Sequence, residues 1–209
     1  MGKNSPALQL VRCKRTDPNY KSIRDRHYVK NNGCIGQQLH YLIYYKTNLV
    51  GIISGASSVW AVKSRDNYFG IAKENRRVSL PSIVNNVVFR LEFHEKNLAT
   101  RVLSLWRKRV QSDWSERYGV IVHGFETFVV EEDYRKGSLY KADNWDYVGR
   151  TKGNTKKHDS GIGNKGKRVE TSSKLIFCKK VKNTRLSTEY HATWNKKTKE
   201  QLSQLRLEI

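Results

Sequence analysis

Prolines are sparse, 3 in 209 residues, and glycines, 14, no more than ordinary, which excludes a Pro/Gly-rich low-complexity polymer. Only three cysteines occur, Cys13, Cys34 and Cys178. Their odd number and wide separation fit neither a disulfide framework nor a zinc finger with closely paired ligands, so free thiols are expected. The six histidines are scattered without metal-ligand spacing, and no metal is expected. No apolar run approaches the roughly 18–20 residues of a transmembrane helix. The start, Met1-Gly2-Lys3-Asn4-Ser5-Pro6, has no apolar stretch of signal-peptide type, so no membrane role and a cytoplasmic location are expected. Acidic residues are also scarce, 19 against 40 Lys and Arg.

Hydrophobic residues at 37% and aromatics at 11% support a packed core instead of a disordered chain. The length suits one full domain with extensions better than two small ones. The net charge of +21 is the strongest global signal. Such self-repulsion favours a protein that meets an anion, and nucleic acid is the leading candidate beside the plainer reading of a soluble basic surface.

Along the chain, the segment to Tyr28 is mixed and polar, ending in what reads as the close of a helix over 23–28. Leu39 to Ile53 is rich in β-branched and aromatic residues and is broken at Lys46-Thr47-Asn48, the pattern of a hairpin. Gly55 to Val62 reads as a small-residue turn and a short helix ending before Asp66, with a charged, exposed stretch over Glu74 to Arg77. Ser82 to Leu91 predicts a strand. Asn97 is placed to cap a helix whose apolar positions Leu98, Val102, Leu105, Trp106 and Val110 recur at helical spacing, leaving Arg101, Arg107, Lys108 and Arg109 for other faces. Val120 to Val130 predicts a strand buried on both faces, within which Glu126 stands out. A short helix over Ser138 to Ala142 and strands over Trp145 to Gly149 and Lys174 to Val181 follow. This alternation indicates an α/β (α+β) class, a central mixed sheet flanked by helices. Arg150 to Ser173 is nearly all Lys, Arg, Gly, Asn, Thr and Ser and reads as a flexible basic arm. The expected organisation is an N-terminal extension over 1–28, a core over 29–182 that includes a basic loop over 150–173, and a basic tail over 183–209.

Several separated blocks carry a resemblance: His27-Tyr28 through Val84-Asn85-Asn86, Asn97 to Leu105, Gly124 to Val129, Gly137 to Trp145, and Val148-Gly149-Arg150-Thr151. In this order the chain resembles the DruA family of the Druantia anti-phage system over roughly Ile23 to Lys180. The later blocks resemble, more loosely, the phage Mom group of DNA-modifying proteins in the GNAT superfamily of N-acetyltransferases. There a strand ends in Asn, a helix begins Asn-x-x-(Ser/Thr)-Arg, and a strand is followed by Gly-(Ser/Thr)-x-Tyr-x-Ala-x-x-(Trp/Phe); Asn86, Asn97 to Arg101, Val120 to Phe128 and Gly137 to Trp145 stand at these positions.

This resemblance implies a single GNAT-like domain that uses acetyl-coenzyme A (acetyl-CoA). Leu91 and the turn Asn97, Leu98, Ala99, Thr100 and Arg101 would bind the cofactor, its pyrophosphate on free N–H groups at the helix start. Its pantetheine arm would lie between splayed strands. Tyr140 would protonate the departing thiolate, and Glu126 or Asn86 would position or deprotonate the accepting amine. Glu95-Lys96-Asn97-Leu98-Ala99-Thr100 replaces the superfamily's glycine-containing loop, removing the glycines that favour close approach of backbone to phosphate. The structural alternatives are an ordinary helix cap at Asn97, a core-edge aromatic at Tyr140 and a buried ion pair from Glu126 to an arginine.

For nucleic acid, Arg150, Lys152, Lys156, Lys157, Lys165, Lys167 and Arg168 are expected to track phosphates without reading sequence. Trp60, Tyr68, Trp145 and Tyr147 are candidates to stack on an exposed base. The function expected is a DNA-binding GNAT-like acyltransferase that transfers an acyl group from acetyl-CoA to a base. The alternatives are a non-catalytic DNA-binding component of anti-phage defence or of a mobile element and, more weakly, a protein acetyltransferase.

Overall fold

The computed structural model describes residues 8–29, 36–156, 168–170 and 172–186. In chain order the elements are β1 (Leu8–Cys13), α1 (Pro18–Asp25), β2 (Gln38–Tyr45), β3 (Asn48–Ser57), α2 (Lys63–Phe69), α3 (Arg76–Ser79), β4 (Ile83–Leu91), α4 (Leu98–Tyr118), β5 (Gly124–Val130), α5 (Ser138–Ala142), β6 (Asp146–Arg150), β7 (Asn154–Lys156), β8 (Arg168–Glu170) and β9 (Lys174–Lys180). Seven strands form one sheet in the order β1-β2-β3-β4-β5-β9-β6. The first four strands are an antiparallel meander. β4 and β5 run parallel, as a crossover through α4 requires, and β9 is antiparallel to both β5 and β6.

Local chemistry explains the elements. The β2–β3 hairpin turns through Lys46, which takes a left-handed φ of 58°. At α1, the Asp17 side chain accepts from the N–H groups of Asn19 and Tyr20, and Pro18 occupies the first turn, where its missing N–H costs nothing. α4 buries Leu98, Val102, Leu103, Trp106, Val110 and Trp114 against one face of the sheet. Leu103 takes the core place expected for Leu105, which is only half-buried. Each buried aliphatic side chain on that stripe contributes about 1.5–3 kcal/mol. On the opposite face, Tyr20 and Ile23 of α1 pack with Leu42, Ile52 and Val88.

Several expectations are corrected. Gly55 to Ser57 continue β3 instead of forming a turn and helix. A Cβ on Gly55 would lie 2.7 Å from Val84 and 3.2 Å from Trp106, so the glycine permits α4 to approach the sheet. The helix that follows starts only at Lys63 and runs past Asp66 to Phe69, and part of the charged Glu74–Arg77 stretch begins α3. Residues 8–25, expected as an extension, supply the edge strand β1 and the covering helix α1. Within the expected loop over 150–173, Arg150 closes β6 and β7 pairs antiparallel with β8 in a two-stranded ribbon. Val120 to His123 precede β5 without joining it. For β1, β3 and the β7–β8 ribbon, long-range pairing, which local composition does not report, decided the outcome.

Candidate active site

β4 and β5 are joined over three residue pairs, Ile83 with Gly124, Val84 with Phe125 and Asn85 with Glu126. Pairing ends there, although β4 continues to Leu91 and β5 to Val130. At the same level the register of β4 against β3 slips: Val88 pairs with Ser54 and Asn86 with Gly55, leaving Val87 as a bulge. A bulge bends its strand and increases the local twist, and the two parallel strands part from Asn86 and Thr127 onward. Strands that part in the middle of a sheet leave main-chain N–H and C=O groups that require other partners.

The root of this opening is hydrogen-bonded. Tyr140, carried by α5, donates its hydroxyl to Asn86 Oδ1 at 2.8 Å. The Thr127 hydroxyl lies 3.0 Å from the Asn86 carbonyl and 3.3 Å from Tyr140 Oη. Asn86 Nδ2 donates to the Ser54 and Val88 carbonyls at 3.0 and 3.3 Å. The Tyr140 ring is stacked on Phe177 with centroids 5.8 Å apart and meets Trp145 edge-on at 5.2 Å, so the phenol has one orientation. Burial pushes its pKa above the usual tyrosine value, and the hydroxyl keeps its proton at neutral pH. α5 is itself anchored: Arg107 of α4 makes a two-pronged contact with Asp143 at 2.7 and 2.8 Å, and Trp145 Nε1 donates to the same carboxylate.

Glu126 belongs to the other face. Successive strand residues point to opposite sides; Phe125 packs on Trp106 of α4 and Thr127 meets Tyr140, while Glu126 turns to α2. Its carboxylate bonds Arg65 Nη1 at 2.5 Å and accepts from Val59 N at 3.0 Å, and both charged side chains are 0% exposed. Arg65 also reaches Asp66 at 2.7 Å and the Val59 carbonyl at 2.6 Å, and Arg76 closes the chain onto Asp66 at 2.8 Å. Burial pushes the Glu126 pKa up and the Arg65 charge opposes it. The ion-pair alternative is therefore the one found for Glu126. A carboxylate sealed in this way cannot reach a substrate proton, and the deprotonating role expected for it is withdrawn.

At the start of α4, Asn97 occupies the cap position but corrects the expected capping: its backbone is left-handed, φ 62°, and its side chain makes no cap hydrogen bond. Asn tolerates this region better than most residues, so the backbone turns sharply without a glycine. Leu98 is wholly buried, and its N–H donates to Glu95 O at 3.1 Å. The first helical bond runs from Arg101 N to Asn97 O at 3.1 Å, and the Thr100 hydroxyl donates to the same carbonyl at 2.9 Å. Of the expected turn, Ala99 and Thr100 therefore keep main-chain N–H groups at the positive end of a 21-residue helix. Leu91 ends β4 opposite Gly51, and the Arg101 guanidinium lies over the Tyr45 ring at 5.7 Å.

The sequence matches the family model described as Druantia protein DruA over residues 2–201. The chain belongs to the DruA family. No curated protein matches it in sequence. Among solved structures, this DruA-family chain matches a GNAT family acetyltransferase from Elizabethkingia anophelis with acetyl-CoA bound, at TM-score 0.53 and 8% identity, covering 86% of this chain and 100% of that one. A Bacillus subtilis acetyltransferase in complex with CoA matches at TM-score 0.54 and 8% identity, covering 84% and 99%. At these identities the likeness establishes the fold, which is that of the GNAT acetyltransferases. The chain also spans 61% of the microcin C7 self-immunity acetyltransferase MccE, at TM-score 0.42 and 10% identity over 69% of its own length.

The remaining expected residues of the DruA-family chain are distributed more widely. Arg150 is exposed and paired to Glu131 at 3.0 Å, and Lys152 is exposed. Lys156 and Arg168 are backbone register partners of β7 and β8, whereas Lys157, Lys165 and Lys167 lie outside the described residues. Of the aromatic candidates, Trp145 is core, Tyr68 donates to Asp146 at 2.5 Å, and Tyr147 and Trp60 are exposed. Cys13 and Cys178 are free thiols whose pKa values burial raises, Cys13 to about 12; Cys34 lies outside the described residues. Among the described residues no cluster of metal-ligating side chains occurs, and no helix is long and apolar enough to cross a membrane. Sequence reasoning missed Thr127, whose place beside Glu126 on the same strand could have flagged it, and Arg65, for which nothing local gave a signal.

Proposed function

We propose that this chain is an acetyl-CoA-dependent N-acyltransferase that acylates an amine of a nucleic-acid base as part of anti-phage defence. The observation that carries this reading is the parting of β4 from β5 with Tyr140, Asn86 and Thr127 hydrogen-bonded at its root. The residues present fit the cofactor. Main-chain groups of β4 beyond Asn86 would hold the pantetheine amides, and the Ala99 and Thr100 N–H groups with Arg101 would hold the pyrophosphate. The left-handed Asn97 supports the turn that the superfamily builds with glycine.

When bound, acetyl-CoA supplies an activated acyl thioester. Tyr140 Oη retains a proton at neutral pH and is the group to deliver it to the departing sulfur. Asn86 Oδ1, accepting from that hydroxyl, orients it. An exocyclic base amine is already neutral at pH 7, so it needs no carboxylate to deprotonate it before attack, and the proton it sheds as the amide forms would replace the one that Tyr140 gives to the sulfur. A lysine ammonium, with a pKa near 10.4, does. The commitment of Glu126 to Arg65 thus favours a base over a protein lysine. The charge of +21 and the loose likeness to the Mom group point the same way.

The test is incubation with isotopically labelled acetyl-CoA and DNA, followed by mass analysis of the nucleosides. Label recovered on a nucleoside is the expected result; label absent from every nucleoside contradicts the reading. For the arm, Lys156, Lys157, Lys165 and Lys167 changed to Ala should weaken DNA binding and reduce the dependence of log K on log salt by up to about 0.9 per lost phosphate contact.

A further inference from the structure

The described residues contain four tryptophans, of which Trp106, Trp114 and Trp145 are buried while Trp60 is 59% exposed. Trp60 lies in the loop between β3 and α2, and this loop is held with unusual care. Ser58 Oγ donates to the Ile83 carbonyl at 2.8 Å. Val59 N donates to Glu126 and the Val59 carbonyl accepts from Arg65, so both main-chain groups of the residue preceding Trp60 are fixed by wholly buried charges. Desolvating a charge costs several kcal/mol, and an ion pair alone rarely recovers it; here the pair also immobilises a surface aromatic. The anchoring rung is Asn85 with Glu126, the last pair before β4 and β5 part. On that rung Asn85 is buried, and its Oδ1 has no hydrogen-bond partner. Val59, 47% exposed, extends the apolar surface of the loop.

We infer that Trp60 is the platform on which an unpaired nucleic-acid base stacks, on the Glu126 face of the sheet, with Glu126 and Arg65 as its positioning residues. The inference rests on the proposal that the acceptor is nucleic acid, and the net charge of +21 supplies the electrostatic complement. Stacking on an indole is tolerant of base identity but requires an exposed base face. The occupant is therefore single-stranded or carries an extrahelical base.

The experiment compares the full chain with Trp60→Ala and Trp60→Phe, each shown by circular dichroism to be folded. Binding is titrated with an oligonucleotide of about 12 nucleotides and with the same sequence fully paired. Trp60→Ala should bind the single strand about tenfold more weakly, with an unchanged salt slope, and change duplex binding less than about twofold; Trp60→Phe should retain most of the affinity. Single-strand affinity of Trp60→Ala within about twofold of the parent, or an equal loss on duplex, overturns the inference, as does a parent that binds neither form. Calorimetry with acetyl-CoA on the same samples separates the two claims. A parent that needs Trp60 for single strands but ignores acetyl-CoA refutes the acyltransferase reading and leaves the stacking platform standing.

Discussion

Thr127 and Glu126 are neighbours on β5, yet they serve opposite kinds of construction. Thr127 joins a neutral set with Tyr140 and Asn86 where the pairing of two strands ends, and its members bond one another. Glu126 joins a charged set with Arg65, Asp66 and Arg76 that closes on itself and on the Val59 backbone. A titratable residue in a central strand attracts attention as a catalyst, but the decisive property is what its charge already holds. Neutral groups at a break in the sheet are free to change partners; paired buried charges are not.

The contrast can be broken by substitution. Tyr140→Phe should lower the acyl-transfer rate by about 10²- to 10⁴-fold, the usual weight of a general acid, with cofactor affinity nearly unchanged; thiol release followed spectrophotometrically reads the first and calorimetry the second. Glu126→Leu should instead destabilise the fold by about 3–5 kcal/mol, because buried Arg65 keeps only Asp66 as a counter-charge and Val59 N loses its acceptor. The double variant Glu126→Leu with Arg65→Met should recover most of that loss, and chemical denaturation measures both. If Glu126→Leu folded normally and only activity fell, the two sets would have exchanged roles.

A pH series tests a third group. Burial holds His27 and His40 well below their ordinary 6.5, each at about 4, so both are neutral in the folded chain. The unfolded chain takes up protons first as pH falls, so their contribution is complete above about 6.5 and is lost progressively between pH 6.5 and 4. Denaturation midpoints across that window should fall with pH, and His40→Gln should flatten the dependence. The smallest effect is expected at Asn97: Asn97→Val should cost about 1–2 kcal/mol for forcing a β-branched residue into the left-handed region, whereas Asn97→Gly should be close to neutral, as thermal melts would show.

Much of the fold was legible in the sequence. The β2–β3 hairpin, α4, α5 and β9 announce themselves through periodicity and turn residues, and the quoted blocks placed the chain in its family. β1 was not legible, because the alternation of Leu8–Cys13 is short and breaks at Leu10–Val11, too little to distinguish it from coil; its pairing with β2 is a tertiary fact. Nor was α2, whose buried Arg65 and Asp66 look like surface residues until Glu126 is placed opposite them. At the site, Tyr140 and Asn86, separated by 54 residues, could be brought together from the resemblance but not from composition. The conformation of Asn97 was hidden for a different reason: Asn caps helices and also adopts left-handed φ, and sequence cannot choose between the two.

The proposed function makes the opening between β4 and β5 a cofactor cleft with Tyr140 at its root. Isothermal titration of the intact chain with acetyl-CoA tests it most directly. Saturable one-to-one binding that persists in Tyr140→Phe and weakens when Thr100→Pro removes an N–H at the α4 start is the predicted result; no heat of binding at roughly millimolar cofactor, where ΔG° would be weaker than about −4 kcal/mol, would contradict it.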